Sequence, residues 1–382
     1  MSRINYPEKV IKLIDIFSRH NHEAFAVGGC VRDSLMGKIP QDWDITTSAT
    51  PDEMIELFAN EGIRTLPTGL KHGTVTVLLD GECFECTTYR IDGSYTDSRR
   101  PDSVEFSRNL SDDLSRRDFT VNAMAASGDK LCDIFGGRAD LEGKIIRCVG
   151  EPEIRFGEDA LRILRALRFA TVLGFEIEKK TLDATKLLAH TLENISHERK
   201  TVELSKILCS VHAQRGVELL YETGVIKYLL PDARVAVENI TLLRAGFPLR
   251  LATLLWQSGG RDITRLRLSN DEKKIVNTLI TPIDFPDTPE GARRTLSGYG
   301  ELSVDACVLQ GKTQLAALVE KEKATNCATS IRRLAVDGNM LLELTIPQRQ
   351  IGDVLSFLLD EVLKDPSLNN KESLLELAKN RA

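Results

Sequence analysis

The stretch "GGCVRDSLMGKIPQDWDI", residues 28–45, decides how this chain is read. It follows the apolar run "AFAV" and so reads as strand, Gly-Gly turn, then a short helix over "VRDSLMGK". Backbone N–H groups at the start of such a helix face outward, and glycine lets a phosphate approach them closely. Gly28 and Gly29 are therefore candidate phosphate contacts, with Arg32 adding positive charge from the first turns. The stretch closes on Asp42-Trp43-Asp44, in the strand-like "WDITT". Alternate strand residues share a face, so the two carboxylates stand side by side with Trp43 turned away. Adjacent carboxylates repel unless a cation or a proton lies between them. Mg²⁺ takes one or two carboxylates and completes its shell with phosphate oxygens, so Asp42 and Asp44 are candidate metal ligands and catalytic residues. The same pair also reads as a solvated acidic turn. Glu85, in "FECTTYR" on the next strand pair, is a candidate third acid or an ordinary cross-strand polar residue.

Around this stretch the composition is that of an ordinary globular protein, with 42% hydrophobic and 28% charged residues. A length of 382 residues implies two to four domains. No apolar run is long enough to span a membrane, and "MSRINYPEKVIKLIDIF" carries charges throughout, unlike a signal peptide. A cytoplasmic location is the expectation. The eight cysteines are scattered and read as buried, reduced thiols; Cys83 and Cys86 fall three apart on a strand, on opposite faces. No Cys/His pairs stand at zinc spacing. A net charge of −6 argues mildly against nucleic acid but leaves room for a local basic stripe.

Residues 1–147 mix helical and strand periods: "YPEKVIKLIDIFSRHN" reads helical, "GTVTVLLDGECFECTTYRI" as a hairpin, and "DFTVNAMAASGDKLCDIFGG" as a short helix, a strand and a turn. After Gly150 the strands stop. "EDALRILRALRFATVLGFEI" places Ala160, Ile163, Leu164, Leu167 and Thr171 on one helical face. Further helices follow, interrupted by prolines in "TPIDFPDTPEG". The fold class expected is α+β: a small mixed sheet with helices, then an all-α remainder.

At this point the residues carry a resemblance. Gly28-Gly29-x-x-Arg32-Asp33 followed by Asp42-x-Asp44 is similar to the signature of the nucleotidyltransferase superfamily that contains DNA polymerase beta. "HGTVTV" (72–77), "RRDFTVNAMA" (116–125) and "EDALRILRALRF" (158–169) follow in the order found in class II tRNA nucleotidyltransferases, the CCA-adding enzymes, and their sister bacterial poly(A) polymerases. The resemblance is strong over the first half of the chain and continues weakly through "ERKTVELSKIL" and the tail. It implies a head (1–147), a neck (148–210), a body (211–285) and a tail (286–382). It also implies Mg²⁺, CTP and ATP as substrates, and tRNA as partner.

The resemblance further implies that Arg117 and Asp118 contact ribose and triphosphate, with Asn122 in the same wall and Arg165 among the nucleotide contacts. In "EDALR", Asp159 and Arg162 stand at i and i+3 on a helix, with Glu158 reaching Arg162 at i+4. An exposed intrahelical ion pair is one reading. The other starts from hydrogen-bond capacity: a carboxylate accepts and a guanidinium donates. Cytosine and adenine each present an amino donor beside a ring-nitrogen acceptor, whereas guanine and uracil present the reverse. One Asp–Arg pair therefore accepts C and A and refuses G and U, with Glu158 holding Arg162 in place. Arg155, Arg162, Arg165 and Arg168 crowd one helix, and Arg199, Lys200 and Lys206 follow; these cations, with "PQRQIG" in the tail, are candidate RNA contacts.

The activity expected is template-independent addition of C and A to tRNA 3′ ends. A-adding, CC-adding and poly(A)-polymerising relatives, and a nucleotide-binding module without catalysis, are the alternatives. The polar segment 91–103, with Asp97, Arg99 and Arg100, is expected to be a mobile lever needed for A addition. The oligomeric state, monomer or homodimer, is left open.

Overall fold

The computed structural model describes residues 4–93, 104–234 and 239–381. They group into two compact units, one of residues 1–231 with 262–267, the other of residues 232–261 with 268–382.

The first unit begins with α1 (Glu8–Arg19), whose fully buried Val10, Leu13, Ile16 and Phe17 recur at helical spacing and pack on β1 (Ala24–Val27). All four residues of β1 are buried, as a central strand covered on both faces requires. Next come α2 (Gly29–Leu35), β2 (Ile45–Thr47) and α3 (Pro51–Asn60). A capping box between Thr50 and Glu53, with Pro51 at the first position, starts α3. β3 (Arg64–Gly69), β4 (Thr74–Leu79) and β5 (Glu82–Thr88) follow. After β6 (Arg90–Asp92) and β7 (Val104–Phe106) come α4 (Leu110–Ser115), β8 (Ala125–Ser127), β9 (Lys130–Cys132) and α5 (Gly137–Gly143). The main sheet has the order β3-β4-β5-β2-β1-β8-β9, mixed because only β2 and β5 run parallel.

This order gathers the site. The end of β1, the approach to β2 and the approach to β8 meet at one end of the sheet: Val27 N donates to Asp44 O (3.0 Å), and Gly28 N donates to Met124 O (3.1 Å). In the parallel register Ile45 pairs with Cys86, so one step earlier Asp44 stands level with Glu85.

The rest of this unit is helical: α6 (Pro152–Glu158), α7 (Leu161–Leu173), α8 (Lys179–Leu188), α9 (His197–Leu208) and α10 (Ala213–Glu222). Ala160, Ile163, Leu164, Leu167 and Thr171 are buried, as the helical face predicts. Strands do not stop at Gly150, however. β10 (Ile145–Ile146) pairs in parallel with β11 (Glu176–Ile177), which takes the chain back beside the head after α7. "EDALRILRALRF" is also not one helix: Asp159 is extended (φ −135°, ψ 103°) and separates α6 from α7. Nor does a helix begin after Arg117-Asp118. Thr120–Asn122 is a single 3₁₀ turn, because β8 starts three residues later and leaves no length for more.

The second unit holds α11 (Phe247–Ser258), α12 (Asn270–Ile280), α13 (Pro289–Tyr299), α14 (Ser303–Leu309), α15 (Thr313–Ala324), α16 (Gly338–Glu343), α17 (Ile351–Lys364) and α18 (Lys371–Arg381). The proline-rich "TPIDFPDTPEG" joins α12 to α13. Val354, Leu358, Val362, Leu374 and Ala378 pack α17 against α18. Among the described residues no helix is long and apolar enough to cross a membrane.

Of the segment expected to act as a lever, residues 94–103, with Asp97, Arg99 and Arg100, lie outside the described residues; its first residues, Ile91 and Asp92, belong to β6, which pairs with β7. All eight cysteines are free, but only Cys30, Cys86, Cys148 and Cys307 are buried; Cys83 and Cys209 are exposed. Cys83 and Cys86 do lie on opposite sides of β5.

Candidate active site

A cleft of about 460 Å³ opens at the converging end of the sheet. Gly28, Gly29, Arg32, Asp44, Arg117, Asp118, Asn122, Asp159, Arg162 and Arg165 line it, together with Arg116, Arg168 and Phe169. Ten of the thirteen sequence candidates thus line one cleft. Asp42 and Glu85 stand beside Asp44 outside this lining, and Glu158 sits behind Arg162. A larger cavity, about 880 Å³, lies near the start of β1 against Tyr6, Phe25 and Asp129, and holds none of the candidates.

Asp42 and Asp44 precede β2 rather than belonging to it, yet the exposed–buried–exposed sequence at Asp42, Trp43 and Asp44 keeps the expected alternation. Trp43 turns inward and packs on Tyr6, ring centroids 5.5 Å apart. Burial raises the pKa of Asp44 above the ordinary carboxylate value; the charge of Glu85 raises it further, Arg117 opposes and Asp42 adds to it. Glu85 and Asp42 thus both bear on Asp44, and a cation beside it would relieve the repulsion. Among the described residues no group of three or more His, Cys, Asp or Glu side chains is set to hold a metal by itself.

Gly28 has φ +80° and ψ −125°, a backbone state that side-chain-bearing residues rarely adopt. A Cβ there would lie 3.0 Å from Arg117 Nη1, so the guanidinium crosses directly over the glycine. Gly28→Ala should therefore cost about 1–3 kcal/mol of stability from strain and push Arg117 aside. The measurements are thermal melting and nucleotide KM; an unchanged melting temperature together with an unchanged KM would refute the close approach.

The opposite wall is a hydrogen-bonded chain. Arg32, buried, donates to Asp33 Oδ1 (2.8 Å) and to Asn122 Oδ1 (2.6 Å). Asn122 Nδ2 donates to Asp118 Oδ1 (3.2 Å), and Arg165 Nε donates to Asp118 Oδ2 (2.7 Å). Burial alone would raise the Asp118 pKa, but Arg165, Asn122 and Arg162 outweigh it and the net shift is downward. Asp118 is therefore an anion at neutral pH, and Arg165 is held as a cation by it.

Glu158, Asp159 and Arg162, the candidate base contacts, are wired differently from the expected helical pairing. Glu158 does hold Arg162, whose Nη1 donates to Oε2 (2.6 Å), and it also takes Arg155. Arg162 reaches further, to the carbonyls of Arg155 (2.9 Å) and Arg116 (3.3 Å). Asp159 instead receives Arg199 Nη2 from α9 (2.8 Å) on one oxygen and the Leu161 amide (3.0 Å) on the other. Being extended, Asp159 projects at the α6–α7 break rather than along a helix face. Both groups of the pair are gripped from behind and line the cleft.

The arginines expected to crowd one helix divide between two, Arg155 on α6 and Arg162, Arg165 and Arg168 on α7, and they pair inward. Arg155 also bonds the Arg116 carbonyl, Arg165 pairs with Asp118, and Arg168 lies 2.5 Å from Glu203. Three of these inward guanidiniums, those of Arg32, Arg165 and Arg168, lie against the ring of Phe169 at 5.4, 5.4 and 3.7 Å. Lys200 is buried and only Lys206 of the α9 cations is fully exposed. The stacking of three guanidiniums on Phe169, which closes the "EDALRILRALRF" block, and the Arg199–Asp159 pair do not follow from local spacing.

Similarity to known proteins agrees with this geometry. Residues 24–147 match the family described as the poly(A) polymerase head domain, and residues 174–234 match a probable RNA- and SrmB-binding site of polymerase A. A CCA-adding enzyme of Levilactobacillus brevis is 37% identical over 95% of both chains, and one of Leuconostoc citreum is 36% identical over 94% of this chain and 92% of its own. The crystal structure of the Bacillus stearothermophilus CCA-adding enzyme in complex with CTP superposes with a TM-score of 0.80 at 31% identity, covering 98% of each chain. With that agreement over nearly its whole length, the chain belongs to the CCA-adding enzyme family.

Proposed function

We propose that the protein extends tRNA 3′ ends with C and A, taken from CTP and ATP with release of pyrophosphate. The observation that carries this reading is the cleft that Asp44, the Gly28–Gly29 turn with Arg117, and the Asp159–Arg162 pair line together. A non-catalytic nucleotide-binding module has no need of carboxylates pressed together at the cleft's edge.

In this reading the RNA 3′-hydroxyl attacks the α-phosphate. Asp42 and Asp44, with Glu85 beside them, hold Mg²⁺, which when bound supplies Lewis-acid stabilisation of the developing charge. Arg117, over Gly28, holds the triphosphate. Asp118 accepts from the ribose hydroxyls, and its shared bonds with Asn122 and Arg165 fix it for that task. Asp159 accepts from the amino group of C or A, while Arg162 donates to the ring nitrogen. No protein nucleophile takes part. EDTA should arrest incorporation and Mg²⁺ should restore it; restoration by a different divalent ion alone would replace Mg²⁺ in this assignment.

The chain divides in this reading into head (1–147), neck (148–210), body (211–285) and tail (286–382), with tRNA held by body and tail, and it works in the cytoplasm. The deciding experiment is product sequencing on tRNAs lacking three, two or one terminal nucleotides. Full CCA on all three is the expected result. Products ending in CC, or extension only of the tRNA lacking A, would reassign the protein to a CC-adding or an A-adding relative.

A further inference from the structure

Asp113, on α4, is fully buried, and no step described so far uses it. Its two oxygens are saturated by groups from two directions. Oδ1 accepts from Arg116 Nε (3.0 Å) and Nη2 (2.6 Å). Oδ2 accepts from Arg117 Nη2 (3.1 Å) and from the hydroxyl of Thr46 (3.2 Å). Burial on its own would raise its pKa, but Arg117 and Arg116 bring the net shift below the ordinary carboxylate value, so the group is an anion.

Each of these partners leads to a different part of the cleft. Thr46 lies two residues after Asp44 in sequence, and its side chain is fully buried. Arg117 crosses Gly28 with Nη1 while Nη2 is tied to Asp113, so one side of the guanidinium is fixed and the other faces the cleft. Arg116 presents its carbonyl to Arg155 and Arg162. A buried carboxylate with one arginine would be an ordinary structural pair. A carboxylate that ties β2, through Thr46, to the arginine over the glycine turn sets the distance between that guanidinium and the start of β2.

We propose that Asp113 is a positioning residue for the nucleotide triphosphate, acting through Arg117. It fixes the orientation of the guanidinium and its distance from Asp44 before the nucleotide arrives, so that ordering Arg117 is not charged against binding. Replacing the carboxylate by an amide keeps the shape but removes the charge, and the amide then sets N–H against N–H on one side. The assignment rests on Arg117 contacting the triphosphate.

The experiment is steady-state incorporation on tRNA with Asp113→Asn, Arg117→Ala and the double variant, with melting curves for each. Asp113→Asn should raise KM for both CTP and ATP by about tenfold to a hundredfold, with a smaller change in kcat. The U-to-C selectivity should hold. In the Arg117→Ala background the same substitution should add nothing, because its effect passes through the missing guanidinium. A full additional loss in the double variant, or an unchanged KM in Asp113→Asn, overturns the proposal. An Arg117→Ala variant with normal KM would instead remove the triphosphate reading of Arg117 itself. Should Asp113→Asn fail to fold, Thr46→Val removes one bond to the same carboxylate at equal volume. Its KM should rise by about twofold to fivefold, again only when Arg117 is present, and no rise sinks the role.

Discussion

Asp44→Ala, and equally Asp42→Ala, should stop incorporation of both C and A while tRNA binding survives. The two carboxylates flank the inward-turned Trp43, and Asp44 lines the cleft with a pKa raised by burial and by the charges of Glu85 and Asp42. On the proposed assignment a cation held between them would relieve that repulsion. Loss of that cation removes several kcal/mol of charge stabilisation, so turnover should fall by roughly a thousandfold or more. The scaffold should not suffer: neither Asp42 nor Asp44 belongs to the buried core, and Trp43 stays packed on Tyr6. Removing one of several repelling charges should if anything favour the folded state. The checks are single-turnover incorporation, tRNA binding by filter retention, and thermal melting. Near-normal turnover with Mg²⁺ in either variant would show that the pair does not hold the metal, and a lowered melting temperature would show that the residue is structural.

The carboxylate pair was legible because a period of two needs only local sequence, and Gly28 because few residues tolerate its backbone state. The break at Asp159 was not read, although its cue is local. Asp159 accepts from the Leu161 amide, the way a short polar side chain starts a helix, and Gly157 weakens the turn before it. The apolar period across Ala160, Ile163 and Leu164 concealed it, since that period continues through α7 itself. The Asp113–Arg116–Arg117 cluster was also within reach, at helical spacings of i+3 and i+4. What spacing cannot supply is the partner from afar. Asp118 meets Arg165 and Asp159 meets Arg199 only after the chain has folded back through α7 and α9. Hence Arg162, Arg165 and Arg168, which spacing alone marks only as cations crowding one helix, line the cleft. Sequence reports how many charges a helix carries; the distant carboxylates decide where they point.

Those distant partners shape the second large effect. Arg162→Ala and Asp159→Ala should degrade base selection more than chemistry, with UTP and GTP misincorporated relative to CTP. Neither substitution should unfold the neck. Without Arg162, Glu158 keeps Arg155; without Asp159, Arg199 is exposed enough to regain water. What each variant loses is one side of the base edge. Asp159, its two oxygens already steadied by Arg199 and Leu161, still accepts from a donor at the exocyclic position, where C and A carry an amino group and G and U a carbonyl oxygen. Arg162, pinned by Glu158 and by two carbonyls, offers the complementary donor. A hydrogen bond to a charged partner contributes about 1.5–3 kcal/mol, so the C-to-U preference should fall roughly tenfold to a hundredfold in each variant. Because one base must satisfy both groups at once, the double variant should lose less than the product of the two single effects. The measurement is the ratio of kcat/KM for CTP and UTP on a tRNA lacking its last three nucleotides. An unchanged ratio in both single variants would reduce Glu158, Asp159, Arg162 and Arg199 to a structural ion-pair network and leave the choice of base to some other part of the cleft.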